Sequence, residues 1–388
     1  MIFTLEALEA KHGDSLLLHY GTKKAPKLIV IDGGPVGVFD KSLRPRLEQL
    51  RDKRTPGAPL PVRLLMVSHI DDDHIRGVLD LTDLLLEQQG NETLLCDITT
   101  LWHNSFDEIL GNNETNVIPA ALGASVRLSA AGELTFPSNL FRDEGAAAIA
   151  ANVPQGRRLR DNAESLSLLT NDPFPKRVSL RPKQKSLSVG STLRLSVIGP
   201  SQKRLEKLEK DWDAKLKTLQ KKKAAEAKAL AASFMDNSVY NLSSIIVLAA
   251  AGGRKMLLTG DGLADDILEG LREAGLLKEG GTLHVDILKL PHHGSIRNMT
   301  EEFLNTVTAD HYVISANGKY DNPDLDTLKL FSKARGTASC TVHLTNAVPH
   351  AVKFFKADQK KAGKNYKVNI RQDPARSLLI NLGEPFKD

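Results

Sequence analysis

The stretch Met66-Val-Ser-His-Ile-Asp-Asp-Asp-His-Ile-Arg-Gly77 places His69, Asp71, Asp73 and His74 within six residues. Imidazole nitrogen and carboxylate oxygen together suit Zn²⁺, Mn²⁺ or Fe. A solvated loop capping the next helix would also use aspartate, but two interleaved histidines add nothing to a cap. The pattern therefore predicts a metal site. Other polar groups stand where apolar runs stop. Asp32 follows Lys27–Ile31, and His103 and Asn104 follow Asp97–Trp102. Asp261 follows Lys255–Leu258, and His292 and His293 follow Val285–Leu290. Asn317, Lys319 and Tyr320 follow Asp310–Ser315. Strand ends are where a rigid scaffold presents functional side chains.

The elements that must position these groups are legible as periodicities. Ile2–Ala10 alternates apolar and polar residues, a strand pattern, and His12-Gly-Asp-Ser15 reads as a turn. Leu16–Tyr20 and Lys27–Ile31 are further strands, and Asp32-Gly33-Gly34-Pro35 breaks the second sharply. Arg44–Lys53 is predicted helical. Val62–Val67 is a strand, and Val78, Leu79, Leu81, Leu84 and Leu85 mark the apolar face of the helix beyond Gly77. From Gly111 to Val197 the signals are mixed, with a helical stretch at Gly145–Asn152 and short strands within Val178–Val197. Ile245–Ala250 and Lys255–Leu258 form a hairpin around Gly252-Gly253. Between these halves, Leu205, Leu208, Trp212, Leu216 and Leu219 recur at helical spacing within Ser201–Ser233. A helix of that length reaches about 45 Å. It is either a solvated helix packed on its own domain or a projecting arm for a homodimer, a protein partner or a polyanion.

Composition narrows the class. The chain has 388 residues, 41% hydrophobic and 26% charged, enough for a substantial core. Its two cysteines, Cys96 and Cys340, make no disulfide framework. No run approaches the ~18 apolar residues of a membrane span, and no signal peptide is evident, so a soluble, cytoplasmic protein without membrane contact is expected. The net charge of +5 is localised: Ser201–Ser233 carries ten Lys or Arg against five Asp or Glu, and the remainder is neutral overall. Aromatics are sparse at 5%, so base-stacking platforms are not prominent.

Ser68-His-x-Asp-x-Asp-His-x-x-Gly77 resembles the signature loop of the metallo-β-lactamase superfamily, in the competence-type form that includes the nuclease-like domain of the DNA-uptake channel. Ile31-Asp-Gly-Gly34, Leu258-Thr-Gly-Asp261 and Pro291-His-His-Gly-Ser295 resemble further motifs of that superfamily, in the family order. The resemblance implies an α/β fold: a four-layer αββα sandwich, a single domain over residues 1–388, with a basic helical insertion at about 201–233. It implies two divalent cations, Zn²⁺ or Mn²⁺. Asp261 would bridge them; His69, Asp71 and His103 would hold one; Asp73, His74 and His293 the other. Asp32 would brace the ligands from behind. His103 could instead pack beside Trp102, and Asn104 could face the metal or substrate. His292 would contact substrate or donate a proton, which with Asp73 and Asp261 completes the catalytic set. Most superfamily members carry His at the position of Asp71; a harder ligand there favours Mn²⁺ or weakens that site.

Two cations about 3.5–4 Å apart suit in-line displacement at phosphorus, with a bound water whose pKa falls to about 7 as nucleophile. The motif pattern thus implies a phosphodiesterase or nuclease acting on nucleic acid or another phosphodiester. Ser295, Arg297, Asn317, Lys319 and Tyr320 are placed to hold phosphate oxygens. Where similar chains carry Gly-His-Pro after the tyrosine, this one has Asp321-Asn322-Pro323, which removes one proton donor or phosphate contact. Hydrolysis of a small ester, lactone or nucleotide signal is the competing chemistry, and a partner-regulated effector subunit the competing class.

Overall fold

The computed structural model describes residues 1–90, 93–105, 127–128, 134–135, 144–219 and 243–386, the side chains of 127–128, 134–135, 144–154 and 211–219 excepted. Two sheets dominate. In the first, seven strands run in the order Leu169–Thr170, Thr100–Trp102, Leu64–Met66, Ala25–Ile31, Leu16–Thr22, Ile2–Leu8, Ser377–Asn381. The second has eight: Leu187–Val189, Leu193–Gly199, Ile246–Ala251, Arg254–Leu258, Leu283–Lys289, Val307–Ile314, Thr341–Leu344, Lys367–Ile370. Both follow one plan. An antiparallel meander leads into parallel strands, which need crossover connections, here mostly helical. The C-terminal strand Ser377–Asn381 returns to pair with Ile2–Leu8, closing the first sheet with the last strand of the chain.

Three apolar cores separate four layers. Phe3, Leu5, Leu18 and Ile29 meet Val247, Met256, Leu258 and Ile287 between the two sheets. Leu17, Val30 and Leu65 pack outward against Leu47 of helix Arg44–Arg54 and Val78 and Leu81 of helix Asp72–Gln88. Leu257, Leu288 and Tyr312 pack outward against Leu268 of helix Ala264–Glu273, Leu328 of Leu325–Arg335 and Phe355 of Pro349–Asp358. The expected αββα sandwich is the observed one. Burial on both faces explains the continuous apolar run at Leu64–Val67.

The structure departs from the periodicities in three places. Ile2–Leu8, the predicted alternating strand, is buried along its whole length; its polar positions are satisfied internally, Thr4 by Asn381 and Glu6 by His19, Arg46 and Ser377. The runs Val62–Val67 and Asp97–Trp102 each split. Leu60–Val62 and Cys96–Ile98 form a small separate ribbon, and the chains cross into the main sheet at Arg63 and Thr99. The helical stretch at 145–152 belongs to a longer helix, Glu144–Ser165. Of the basic segment, Gln202–Leu219 is helical, with Leu205 and Leu208 in the outer core of the first sheet. Its expected continuation to Ser233 lies outside the described residues. Among those described, no helix is long and apolar enough to cross a membrane.

Candidate metal centre

The site lies where parallel strands of both sheets end, the usual place for ligands in such topologies. Ile31 delivers Asp32, Met66 delivers Ser68 and His69, Leu258 delivers Asp261, Lys289 delivers His292 and His293, and Ile314 delivers Ser315. Helix Asp72–Gln88 begins inside the motif, so Asp73 and His74 occupy its first turn. Asp71 sits at the N-cap position, yet its side chain makes no capping hydrogen bond; one carboxylate oxygen lies 3.5 Å from His69 Nε2. The helix is pressed onto the Asp32 turn. A Cβ on Gly33 would stand 2.3 Å from the Val78 nitrogen, and one on Gly77 2.1 Å from the Gly33 carbonyl oxygen. Both motif glycines are therefore required by backbone contact.

Among the described residues, the buried polar atoms that make no hydrogen bond include His69 Nε2, His74 Nε2, His293 Nε2 and Asp261 Oδ1. They converge. His74 Nε2 is 3.4 Å from Asp261 Oδ1; His69, His292 and His293 Nε2 are 3.7, 3.5 and 3.8 Å from Asp261 Oδ2. His293 Nε2 is also 3.3 Å from Asp73. The opposite ring nitrogens are committed. His74 Nδ1 donates to Asp32 at 2.9 Å and His293 Nδ1 to the Ser315 carbonyl at 2.9 Å. Such bonds fix the tautomer and turn the other nitrogen toward the centre. Orphaned buried polar atoms are costly, and bound divalent cations would engage these four. The donor set fits divalent metal. Among the described residues, ligand atoms lie within 4.8 Å of one another in the groups His69–His74–Asp261, Asp73–His74–His293, His69–Asp71–Asp73 and Asp14–Asp32–His74.

Electrostatics point the same way. Burial would lower the His74 pKa, but the carboxylates of Asp261, Asp32 and Asp73 push it well above the imidazole range. His293 is likewise pushed up, against burial, to about 9 by Asp261 and Asp14. Burial would raise Asp261, but the surrounding histidines hold its carboxyl well down. This is an anionic pocket that draws positive charge inward.

Strain is concentrated here. Asp32, His292 and His293 all have left-handed backbone, at φ 57°, 47° and 55°, a conformation that costs non-glycine residues of order 1–3 kcal/mol each. At 292–293 it aims two successive imidazoles at the centre.

Four further contributors, Ser68, Asn298, Lys289 and Asp14, were not among the candidate site residues. Ser68 donates its hydroxyl to Asp32 at 2.7 Å and its backbone N–H to the same carboxylate. Asn298 accepts from His292 Nδ1 at 2.7 Å and donates to the Asp261 carbonyl, tying one to the other. Lys289, fully buried, pairs with Asp14, donates to the Gly260 carbonyl and lies 3.9 Å from Asp261. Lys289 was hidden in an apolar strand and Asp14 in an ordinary Gly-Asp-Ser turn.

The remaining expected residues divide. Asn104 is corrected: its amide donates to the Val178 carbonyl and accepts the Val178 N–H, so it pins a neighbouring segment rather than facing metal or substrate. His103 is buried at the next strand end, its backbone held by Asn171, and belongs to none of the four convergent groups. Ser295 is buried just beyond His293, whereas Arg297, Asn317, Lys319 and Tyr320 are exposed.

Fold and donor set together define the class: an αββα sandwich carrying a candidate metal centre at the rim between its sheets. Among curated proteins the chain is similar to ComE operon protein 3 of Bacillus subtilis strain 168, 31% identical over 100 residues. That match covers 25% of this chain and 12% of the length of the relative. Among solved structures it is similar to the metallo-β-lactamase fold protein YhfI of Bacillus subtilis, at 9% identity and a TM-score of 0.39, covering 98% of this chain and 99% of that one. No protein-family model matches.

Proposed function

We propose that the chain is a metal-dependent hydrolase of phosphodiesters, a nuclease or a phosphodiesterase of smaller substrates. The observation that carries this reading is the convergence of His69, His74 and His293 Nε2 with both oxygens of Asp261. His69, Asp71 and Asp261 would hold one divalent cation, with His103 a candidate to complete it. Asp73, His74, His293 and the shared Asp261 would hold the other. Bound cations of this kind supply Lewis acidity and an acidified water.

The chain's own residues supply orientation and proton handling. Asp32 and Ser315 fix the donor tautomers of His74 and His293. His292 is the most exposed imidazole of the centre, and Asn298 fixes its ring. Protonated on both nitrogens, it is the group that can hand a proton from Nε2 to a leaving oxygen. Lys319 and Arg297 at the rim bring positive charge to an anionic substrate. The motif resemblance supports the same reading.

The test is turnover of bis-p-nitrophenyl phosphate, plasmid DNA and RNA by purified protein loaded with Mn²⁺ or Zn²⁺, beside p-nitrophenyl acetate and a lactone. Cleavage of a phosphodiester that disappears in Asp261→Ala is expected. Turnover of the ester or lactone alone would transfer the site to the competing chemistry.

A further inference from the structure

The mouth of the centre carries an unusual surface. Val36, Ile296, Tyr320 and Leu325 are four of the six exposed large apolar side chains among the described residues. All four sit on segments tied to the site. Lys11, next to His12, donates to the Val36 carbonyl. Ile296 follows Ser295, and its N–H donates to Asp324, the residue before Leu325. The 11–14 segment touches the centre directly: Asp14 N–H donates to the Asp73 carbonyl at 3.2 Å, and the charges of Asp73 and His293 act on His12.

Tyr320 is the most exposed of the four, at 68%. It has left-handed backbone at φ 56°, between Gly318 at 93° and Asp321 at 61°. A chain does not gain stability by straining its backbone to hold a phenol ring in water. The ring is nevertheless supported. Lys319 Nζ lies 4.7 Å from its centroid, and the His12 ring meets it edge-on at 5.9 Å and 85°. Lys319 Nζ is in turn 3.3 Å from His12 Nε2. One aromatic ring and one ammonium are thus fixed relative to each other at the edge of the centre, across the two halves of the chain.

A flat apolar face beside a fixed cation matches a nucleotide, which offers a flat base and an anionic phosphate. We propose that Tyr320 and Lys319, buttressed by His12, form a nucleotide subsite at the mouth of the metal centre. Tyr320 stacks on the base next to the scissile phosphate, and Lys319 holds a neighbouring phosphate oxygen in place of its contact with His12. The occupant is unpaired, because a base within a duplex offers no free face. This subsite rests on the phosphodiester reading and narrows it to substrates that carry a base.

The test is equilibrium binding of fluorescein-labelled pentathymidylate to the metal-free 388-residue chain by anisotropy, beside an abasic oligomer of equal charge. Tyr320→Ala is expected to weaken pentathymidylate binding at least five-fold while leaving the abasic oligomer within two-fold, and Tyr320→Phe to bind as the wild type does. Lys319→Ala is expected to weaken both probes alike and to flatten the salt dependence. Far-ultraviolet circular dichroism checks that each variant is folded. Equal loss of both probes in Tyr320→Ala, no loss of either, or no binding by the wild type overturns the subsite. Turnover of bis-p-nitrophenyl phosphate by the metal-loaded wild type, read in parallel, separates the two levels. Its absence overturns the phosphodiesterase reading, whereas turnover with base-independent binding overturns the subsite alone.

Discussion

His74 Nδ1 lies 2.9 Å from the Asp32 carboxylate, while the opposite nitrogen of the same ring lies 3.4 Å from Asp261. One imidazole therefore joins a carboxylate that orients it to one that would share its cation. Asp32 also accepts both the hydroxyl and the N–H of Ser68, so it sets the start of the His69 loop as well. Removing a carboxylate that orients a ligand histidine typically costs 10–100-fold in metal affinity. Asp32→Asn is expected to weaken Zn²⁺ or Mn²⁺ binding by about that factor with unchanged secondary structure, as read by metal titration and circular dichroism. Unchanged affinity would remove Asp32 from the centre.

Asp261 separates one metal site from two. Its two oxygens face different histidines, Oδ1 toward His74 and Oδ2 toward His69, His292 and His293. If the donor set holds a pair of cations, His69→Ala and His293→Ala each lower bound metal by about one equivalent, and Asp261→Ala lowers it by more than either. Elemental analysis after dialysis gives the count. Equal single losses in all three variants would mean one shared ion.

How much of this was legible in the sequence follows from what each residue type signals. The His69 loop could be read because interleaved histidines and aspartates serve little purpose other than ligation. Asp261 and His293 could be read because each ends a predicted strand. Asn104 misled because an amide at a strand end has the same signature whether it faces a metal or, as here, clasps the backbone of Val178. That choice depends on a segment 74 residues away. Lys289 and Asp14 were invisible because the partner that makes a buried charge tolerable comes from the opposite sheet. The strand Ile2–Leu8 was legible, but the burial of both its faces was not, for a related reason. Its alternation was real, but its polar face is covered by Arg46 and Ser377 instead of water. Periodicity reports chemical contrast between faces, and tertiary packing decides where each face goes.

The Lys289–Asp14 pair yields a prediction about stability. Both side chains are almost wholly buried, burial that would lower the lysine pKa is outweighed by Asp14 and Asp261, and the pKa is raised. Breaking one side of such a pair leaves an uncompensated charge and costs about 3–5 kcal/mol. Lys289→Met is expected to lose stability in that range by urea denaturation, with Asp14→Asn/Lys289→Met recovering a substantial part of it. Additive losses in the double variant would show that the two residues act separately.

Part of the acid sensitivity should trace to Glu6, on the far side of the first sheet from its inter-sheet core. Burial would raise its pKa, but the hydrogen bond and charge of His19, the charge of Arg46 and the Ser377 hydroxyl outweigh it and lower the value from 4.5 to about 2. A carboxyl whose pKa is depressed on folding stabilises the folded state above its unfolded pKa, and that contribution fades as pH falls toward the folded one. The interval from 4.5 to about 2 corresponds to about 3 kcal/mol at neutral pH. Glu6→Gln is therefore expected to be destabilised by about 2–3 kcal/mol at pH 7, with the gap to wild type closing as pH drops below 4.5. The measurement is urea unfolding of both proteins at intervals from pH 7 to pH 3. A gap that stays constant across that range would mean that the glutamate contributes shape and hydrogen bonding but no charge, and that the acid limb originates elsewhere.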